Sequence, residues 1–174
     1  RKVEKIYDVG FCGASHGSGK IKGPTENLRD RVYDVVKQVP DISTYWNRHT
    51  SPSHRINSME EYATVMNQSK IWIATTGPIL DVSPRYFEVI LSKTLLFCNE
   101  MPHEYEGMFV DGVNCVTYKN DLSDFEEKLN FYLTNPKERS IIVENAYEYA
   151  INNLTSKHMC IKLLDEINQL IGKR

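Results

Sequence analysis

The chain has 174 residues, of which 41% are apolar and 25% charged, and its formal net charge is −2. That length suits one globular domain with its own core, and the near-neutral charge makes no electrostatic case for nucleic acid or an anionic membrane as partner. The longest apolar runs, Ile71-Trp72-Ile73-Ala74 and Thr94-Leu95-Leu96-Phe97-Cys98, are far too short to span a bilayer.

Ile6-Tyr7-Asp8-Val9-Gly10-Phe11-Cys12 reads as a first strand. A glycine-rich loop follows, Gly13-Ala14-Ser15-His16-Gly17-Ser18-Gly19-Lys20, and Pro24-Thr25-Glu26-Asn27 opens a helix over 24–37. The polar and aromatic stretch 42–57 reads as a short strand and a loop. Ser58 caps the next helix with Glu61 as capping-box partner. Met59, Tyr62, Ala63 and Met66 fall on one face of that helix. Ile71-Trp72-Ile73-Ala74 is a buried strand, and residues 75–82 form a loop containing Gly77-Pro78.

Ser83-Pro84 marks a helix start, a hydroxyl N-cap followed by proline at the first helical position. That helix, 84–92, is apolar nearly all round, which predicts burial. Residues 94–98 form another strand, Asp111-Gly112 a turn and Cys115-Val116-Thr117-Tyr118 a short strand. Asp121 or Ser123 starts a helix with Phe125, Leu129, Tyr132 and Leu133 on one face, and helices over 136–152 and 156–171 complete the chain. Strands alternating with helices predict an α/β, Rossmann-like parallel sheet with helices on both faces, as one domain over 1–174. Ligands bind such sheets at the carboxyl ends of the strands, so the loops 13–23, 75–83 and 99–106 are the candidate site.

The opening on Arg1, with no secretory signal pattern, reads as a start inside a longer protein. Cys12, Cys98, Cys115 and Cys160 form no C-x-x-C pair, and three lie in apolar segments. This reads as buried thiols of a reducing, cytoplasmic compartment rather than a zinc site or a disulfide framework. The histidines show no metal-ligand spacing, although His16 and His103 lie in candidate cleft loops. The tyrosines, Trp46 and Trp72 read as packing anchors, with Tyr45-Trp46 the place to meet a nucleobase.

Two motifs compete as the chemical centre. Ala14-x-x-x-x-Gly19-Lys20-Ile21 approaches a Walker A loop but lacks its first glycine and its Mg²⁺-binding hydroxyl. Gly23-Pro24 also interrupts the helix that a P-loop lysine must open. Ser83-Pro84-Arg85-Tyr86-Phe87-Glu88 is the better candidate. A helix start offers free N–H groups, Arg85 adds a planar cationic fork, and Glu88 lies roughly 5 Å along the axis. An ionised carboxylate there can accept both hydrogen bonds of a ribose diol while the arginine faces a diphosphate. The competing reading is an Arg85–Glu88 pair on a solvated face.

Taken in order, Ser58-Met59-Glu60-Glu61-Tyr62, Ser69-Lys70-Ile71, Ser83 to Val89, Thr94-Leu95-Leu96-Phe97 and Asp111 to Tyr118 resemble the C-terminal domain of group 1 glycosyltransferases. The opening Tyr7-Asp8-Val9-Gly10-Phe11-Cys12-Gly13 is similar to that of the CgeB-like branch, and the likeness covers residues 5–167. The resemblance implies the donor-binding half of a two-domain GT-B enzyme. It implies a nucleoside-diphosphate sugar as donor, no metal or other cofactor, and a separate N-terminal acceptor domain as partner. By position, Glu88 would hold the ribose, and Ser83 and Arg85 the diphosphate. Gly13 and His16 would face the cleft, Glu104 would lie beside the donor, and Arg85 and Glu100 would be the groups nearest the chemistry.

The chain departs from the family pattern at Leu80, where retaining relatives often carry a second glutamate, and at Ser92-Lys93, where they carry small residues and glycine. A non-catalytic nucleotide-binding module and a P-loop-like NTPase are the alternative functions.

Overall fold

The computed structural model describes residues 3–14, 25–49, 56, 58–77, 80–105 and 107–172. Five strands, β1 (Tyr7–Ala14), β2 (Thr44–His49), β3 (Ser69–Ala74), β4 (Leu95–Asn99) and β5 (Val116–Tyr118), form one sheet in the order β2-β1-β3-β4-β5. Every pairing is parallel. The central strands are near-continuous apolar runs because both faces of the sheet are covered. Along β3, Ile71 and Ile73 enter one core layer while Trp72 and Ala74 enter the other. Leu95 and Phe97 alternate with Leu96 and Cys98 in β4 in the same way.

Among the described residues, five helices flank the sheet, α1 (Leu28–Val36), α2 (Met59–Asn67), α3 (Arg85–Leu91), α4 (Phe125–Thr134) and α5 (Pro136–Asn153), and a sixth, α6 (Ser156–Gly172), lies against α5. Leu28, Val32 and Val36 of α1 and Phe125 and Leu129 of α4 fill the first layer. Val65 and Met66 of α2, Tyr86, Val89 and Ile90 of α3 and Ala146 and Ala150 of α5 fill the second. Gly10 is required by a close approach: a Cβ there would stand 2.3 Å from Trp72 Cε3 and 2.5 Å from Ser69 Oγ. The expected α/β sheet with helices on both faces is thus the observed architecture.

Several local expectations change. Ser58 Oγ does accept from the Glu61 amide, at 2.9 Å. The face that α2 buries, however, is Tyr62, Val65 and Met66, whereas Met59 is 73% exposed and Ala63 is exposed. Adjacent apolar positions leave the phase of a short helix open, and the Trp72 ring, edge-on to Tyr62, selects one phase. The Ser83 hydroxyl makes no cap: Pro84 is the cap residue of α3, and Ser83 contributes only its carbonyl, which accepts from the Tyr86 amide at 3.1 Å. Helix α1 begins at Leu28, after a turn that ends on a left-handed Asn27 (φ 51°), so Thr25–Asn27 are not yet helical; Pro24 lies outside the described residues.

Candidate functional site

From β1 the chain moves outward to β2, then crosses back to β3 on the other side of β1. Connections therefore leave the carboxyl ends of β1 and β3 in opposite directions, which opens a crevice there. Gly13, at the end of β1, forms its floor. A Cβ on Gly13 would lie 3.5 Å from Arg29 Nη1, 3.5 Å from Arg85 Nη2 and 3.1 Å from Phe11 Cζ. Two guanidinium groups thus converge on a backbone that carries no side chain.

Arg29 reaches the crevice from the inward stripe of α1, beside Leu28 and Val32, and only 9% of it is exposed. Its Nε donates to Thr75 Oγ1 at 2.8 Å and its Nη1 to the Ala14 carbonyl at 2.7 Å. The side chain therefore ties the end of β1 to the end of β3. Burial, and then the like charge of Arg85, pull the Arg29 guanidinium down to about 10. It is still cationic at neutral pH, but the free protein holds two crowded positive charges.

Arg85 stands at the first position of α3. Its Nε and Nη1, and the Ser83 hydroxyl, are buried with no hydrogen-bond partner among the described residues. Unpaired buried donors are costly, and a group that leaves them is poised for a ligand. Glu88 forms no ion pair with Arg85 among the described residues. Its Oε2 instead accepts from the Tyr62 hydroxyl at 3.0 Å. Burial is the main force raising the Tyr62 pKa; Glu88 adds to it and the Arg85 charge opposes it.

The ends of β3 and β4 are locked together by Asn99. Its Oδ1 accepts from the Thr76 amide at 2.8 Å. Its Nδ2 donates to Thr76 Oγ1, the Glu100 carbonyl and Asn120 Oδ1, each at 2.9 Å. Glu100 Oε2 in turn accepts from the amide and side chain of Asn120, at 3.2 and 3.1 Å. Past β3, the Gly77 amide donates to the Asp81 carbonyl at 2.9 Å. The Asp81 carboxylate folds over Gly77, where it counters part of the Arg29 charge. Leu80 adopts a left-handed φ of 63° in this turn.

Gly13, Ser83, Arg85 and Glu88 are therefore grouped around the β1 and β3 ends, and Glu100 lies one strand away. Glu104 is exposed on a single 3-10 turn, His103–Tyr105, with its carboxylate 3.5 Å from His103 Nδ1. His16 and the Gly19-Lys20 pair lie outside the described residues. The Trp46 ring is taken up by packing, stacked on Phe11 at 4.6 Å and tilted against Tyr33 at 5.2 Å.

No sequence motif marks Arg29 or Tyr62 as a site residue, and Asn99 enters only as the first residue of the candidate loop 99–106. For Arg29 a signal existed: the stripe Leu28, Val32, Val36 predicts its inward placement, and a buried cation needs a reason. Asn99 and Tyr62 act through residues 23 and 26 positions away, which no local pattern encodes. Cys12, Cys98 and Cys115 are buried as expected, Cys160 is exposed, and all four are free thiols. Among the described residues, no group of His, Cys, Asp or Glu is arranged to hold a metal ion, and no helix is long and apolar enough to cross a membrane.

Similarity to known proteins agrees with this fold. The C-terminal domain of a group 1 glycosyl transferase family protein (LpcC) from Francisella tularensis has the same fold, with a TM-score of 0.59 and 15% identity over 89% of each chain. TarM matches with a TM-score of 0.63 and 12% identity over 94% of this chain and 35% of its own. A chain of the GtfA/B complex matches with a TM-score of 0.58 and 14% identity over 97% of this chain and 37% of its own. The chain thus spans about a third of the length of these last two. No curated protein sequence matches it. The family model described as glycosyl transferase-like matches residues 20–165, most of the chain, and the protein accordingly belongs to the glycosyl transferase-like family of transferase enzymes.

Proposed function

We propose that this domain binds a nucleoside-diphosphate sugar in the β1/β3 crevice, as the donor half of a GT-B enzyme of the CgeB-like branch. The observation that carries the reading is the convergence of Arg29 and Arg85 on Gly13, with two donors of Arg85 left unpaired. A diphosphate supplies the anionic oxygens these groups lack, and the missing side chain at Gly13 lets it approach the backbone. Glu88 then receives the ribose diol on Oε1 and on the remaining lone pair of Oε2, the oxygen that accepts from Tyr62. Glu100, held by Asn120, faces the hydroxyl groups of the sugar.

In the transfer step the acceptor oxygen bonds to the anomeric carbon and the bond from that carbon to the diphosphate breaks. The electron pair leaves with the diphosphate, and the acceptor hydroxyl proton passes to a base. Charge builds on the leaving group beside two fixed guanidinium ions, which is where prearranged charge lowers a barrier. These two cations do the neutralising work for which other transferases use a metal, so donor binding is metal-independent in this reading. The free thiols and the group 1 resemblance favour a cytoplasmic protein.

Calorimetric titration with UDP, GDP and ADP tests the assignment. Arg85→Ala and Glu88→Ala each weaken the preferred nucleotide about ten- to a hundredfold, the range for hydrogen bonds to charged groups. EDTA leaves the wild-type affinity unchanged. Wild-type affinity in Glu88→Ala together with loss of binding in Lys20→Ala would sink the ribose assignment and favour the P-loop reading. Donor binding without sugar transfer in the full-length enzyme would leave a nucleotide-binding module.

A further inference from the structure

The amino edge of the sheet, opposite the Gly13 crevice, holds a second concavity. It lies between the chain entering β1, the start of β3, the α3–β4 turn and the first turns of α5, and its volume is about 450 Å³. Four cationic side chains line it, Lys5, Lys70, Lys93 and Arg139, against one carboxylate, Glu144.

Two of the four cations are neutralised. Lys70 pairs with Asp8 at 2.6 Å and Lys93 with Glu144 at 2.7 Å. Lys93 also lies 4.3 Å from the centre of the Tyr147 ring. Lys5 and Arg139 have no carboxylate within ion-pair distance among the described residues. Lys5 Nζ donates only to neutral acceptors, the Lys93 carbonyl at 2.9 Å and Thr94 Oγ1 at 3.0 Å. Arg139 Nη1 donates to the carbonyls of Tyr132 and Leu133 at the end of α4, and Asp8 offsets its charge only from a distance. Burial, with the like charge of Arg139 second, pulls Lys5 down to about 8. The empty cavity therefore holds two charges that oppose each other.

We propose that this cavity is a ligand site separate from the donor crevice, taking a soluble small molecule that bears a phosphate dianion held by Lys5 and Arg139. Its volume falls within the roughly 300–1,000 Å³ of small-molecule sites. Two cations without an ion-paired carboxylate among the described residues match the charge of a phosphomonoester, about −1.5 to −2 at neutral pH, whereas one carboxylate would leave a cation unpaired. The amino end of α5, begun by Pro136, adds the positive end of an 18-residue helix. Leu91, Val143 and the Tyr147 ring give the body of the molecule an apolar wall.

Inorganic phosphate is the probe, titrated into the ¹⁵N-labelled chain at fixed ionic strength. The amides of Lys93, Thr94 and Ser140 shift and saturate, with an affinity on the order of millimolar for so small a fragment. Lys5→Gln weakens these shifts about tenfold or more, Lys5→Arg retains them, and acetate at the same ionic strength produces none that saturate. In the wild-type chain, phosphate also slows acylation of the Lys5 amine, a readout that needs no variant. Shifts confined to Gly13 and Thr76 would assign phosphate to the donor crevice and overturn the proposal. Binding to Lys5→Gln at wild-type affinity, or equal binding of acetate, would do the same.

Discussion

Asn99 locks the carboxyl ends of β3 and β4 together beside the crevice. It satisfies both the amide and the hydroxyl of Thr76, a residue with no exposed surface, and holds Asn120 against Glu100. Replacing it by alanine leaves buried donors and acceptors unpaired, which costs about 1–3 kcal/mol for such a group. Asn99→Ala is therefore expected to lower the urea unfolding midpoint by that free energy without changing the slope. An unchanged midpoint would mean that the strand ends are held by something else. The same scale separates what residues announce from what they conceal. Arg85 and Glu88 stand out because they are charged residues inside an apolar helix. Arg29 carries an equally legible signal, a cation on the inward stripe of α1, but its importance follows from Thr75 and Ala14, which it joins across 46 and 15 positions of sequence.

The helices and strands follow from local patterning, and their limits follow from contacts. The apolar runs around Ile71 and Leu95 predict buried strands, and both appear, β3 extended by two residues at its start and β4 shifted by one. Helix α3 is apolar on most sides, as expected, yet Leu91 at its last turn is 50% exposed, where it lines the amino-edge cavity. The Ser83-Pro84 signal locates the start of α3 but misassigns its cap, because the hydroxyl is buried and has no hydrogen-bond partner among the described residues. At this scale Gly10 is a constraint set by a rigid neighbour, the Trp72 ring. Gly10→Ala would drive a Cβ into the Trp72 ring, a fully buried side chain with little room to move. Overpacking of this kind costs about 1–3 kcal/mol. Trp72→Phe in the same chain should recover part of the loss, seen as non-additivity in a double-mutant cycle of unfolding free energies. Full additivity would show that the two residues do not meet.

Across the whole molecule, the five-stranded sheet carries two core layers, and α6 contributes to neither. None of its residues is buried, and Leu163, Leu164, Ile167, Leu170 and Ile171 are each 41% exposed or more. The spacing of that stripe is that of an amphipathic helix, and the sequence predicts the helix correctly over nearly its whole length. Deleting residues 156–174 is expected to leave the thermal midpoint within about 4 °C, the shift that roughly 1 kcal/mol produces in a chain of this size. A larger fall would mean that α6 packs as part of the core. The two edges of the sheet differ in kind. The carboxyl edge gathers Arg29 and Arg85 around a glycine, and the amino edge gathers Lys5, Lys70, Lys93 and Arg139 around a cavity.

The sequence by itself determined the type and order of the elements, because hydrophobic period, helix caps and turn residues act over a few positions. It also determined the α/β class and the place of Arg85 and Glu88 on one short helix. Only the tertiary structure decided which strand lies beside which, since parallel pairing joins segments that no local preference links. That ordering opens the crevice between β1 and β3. It turns Arg29 and Arg85, fifty-odd residues apart in the chain, into one cationic pair above Gly13, and it is the same ordering that brings Lys5 and Arg139 together at the opposite edge.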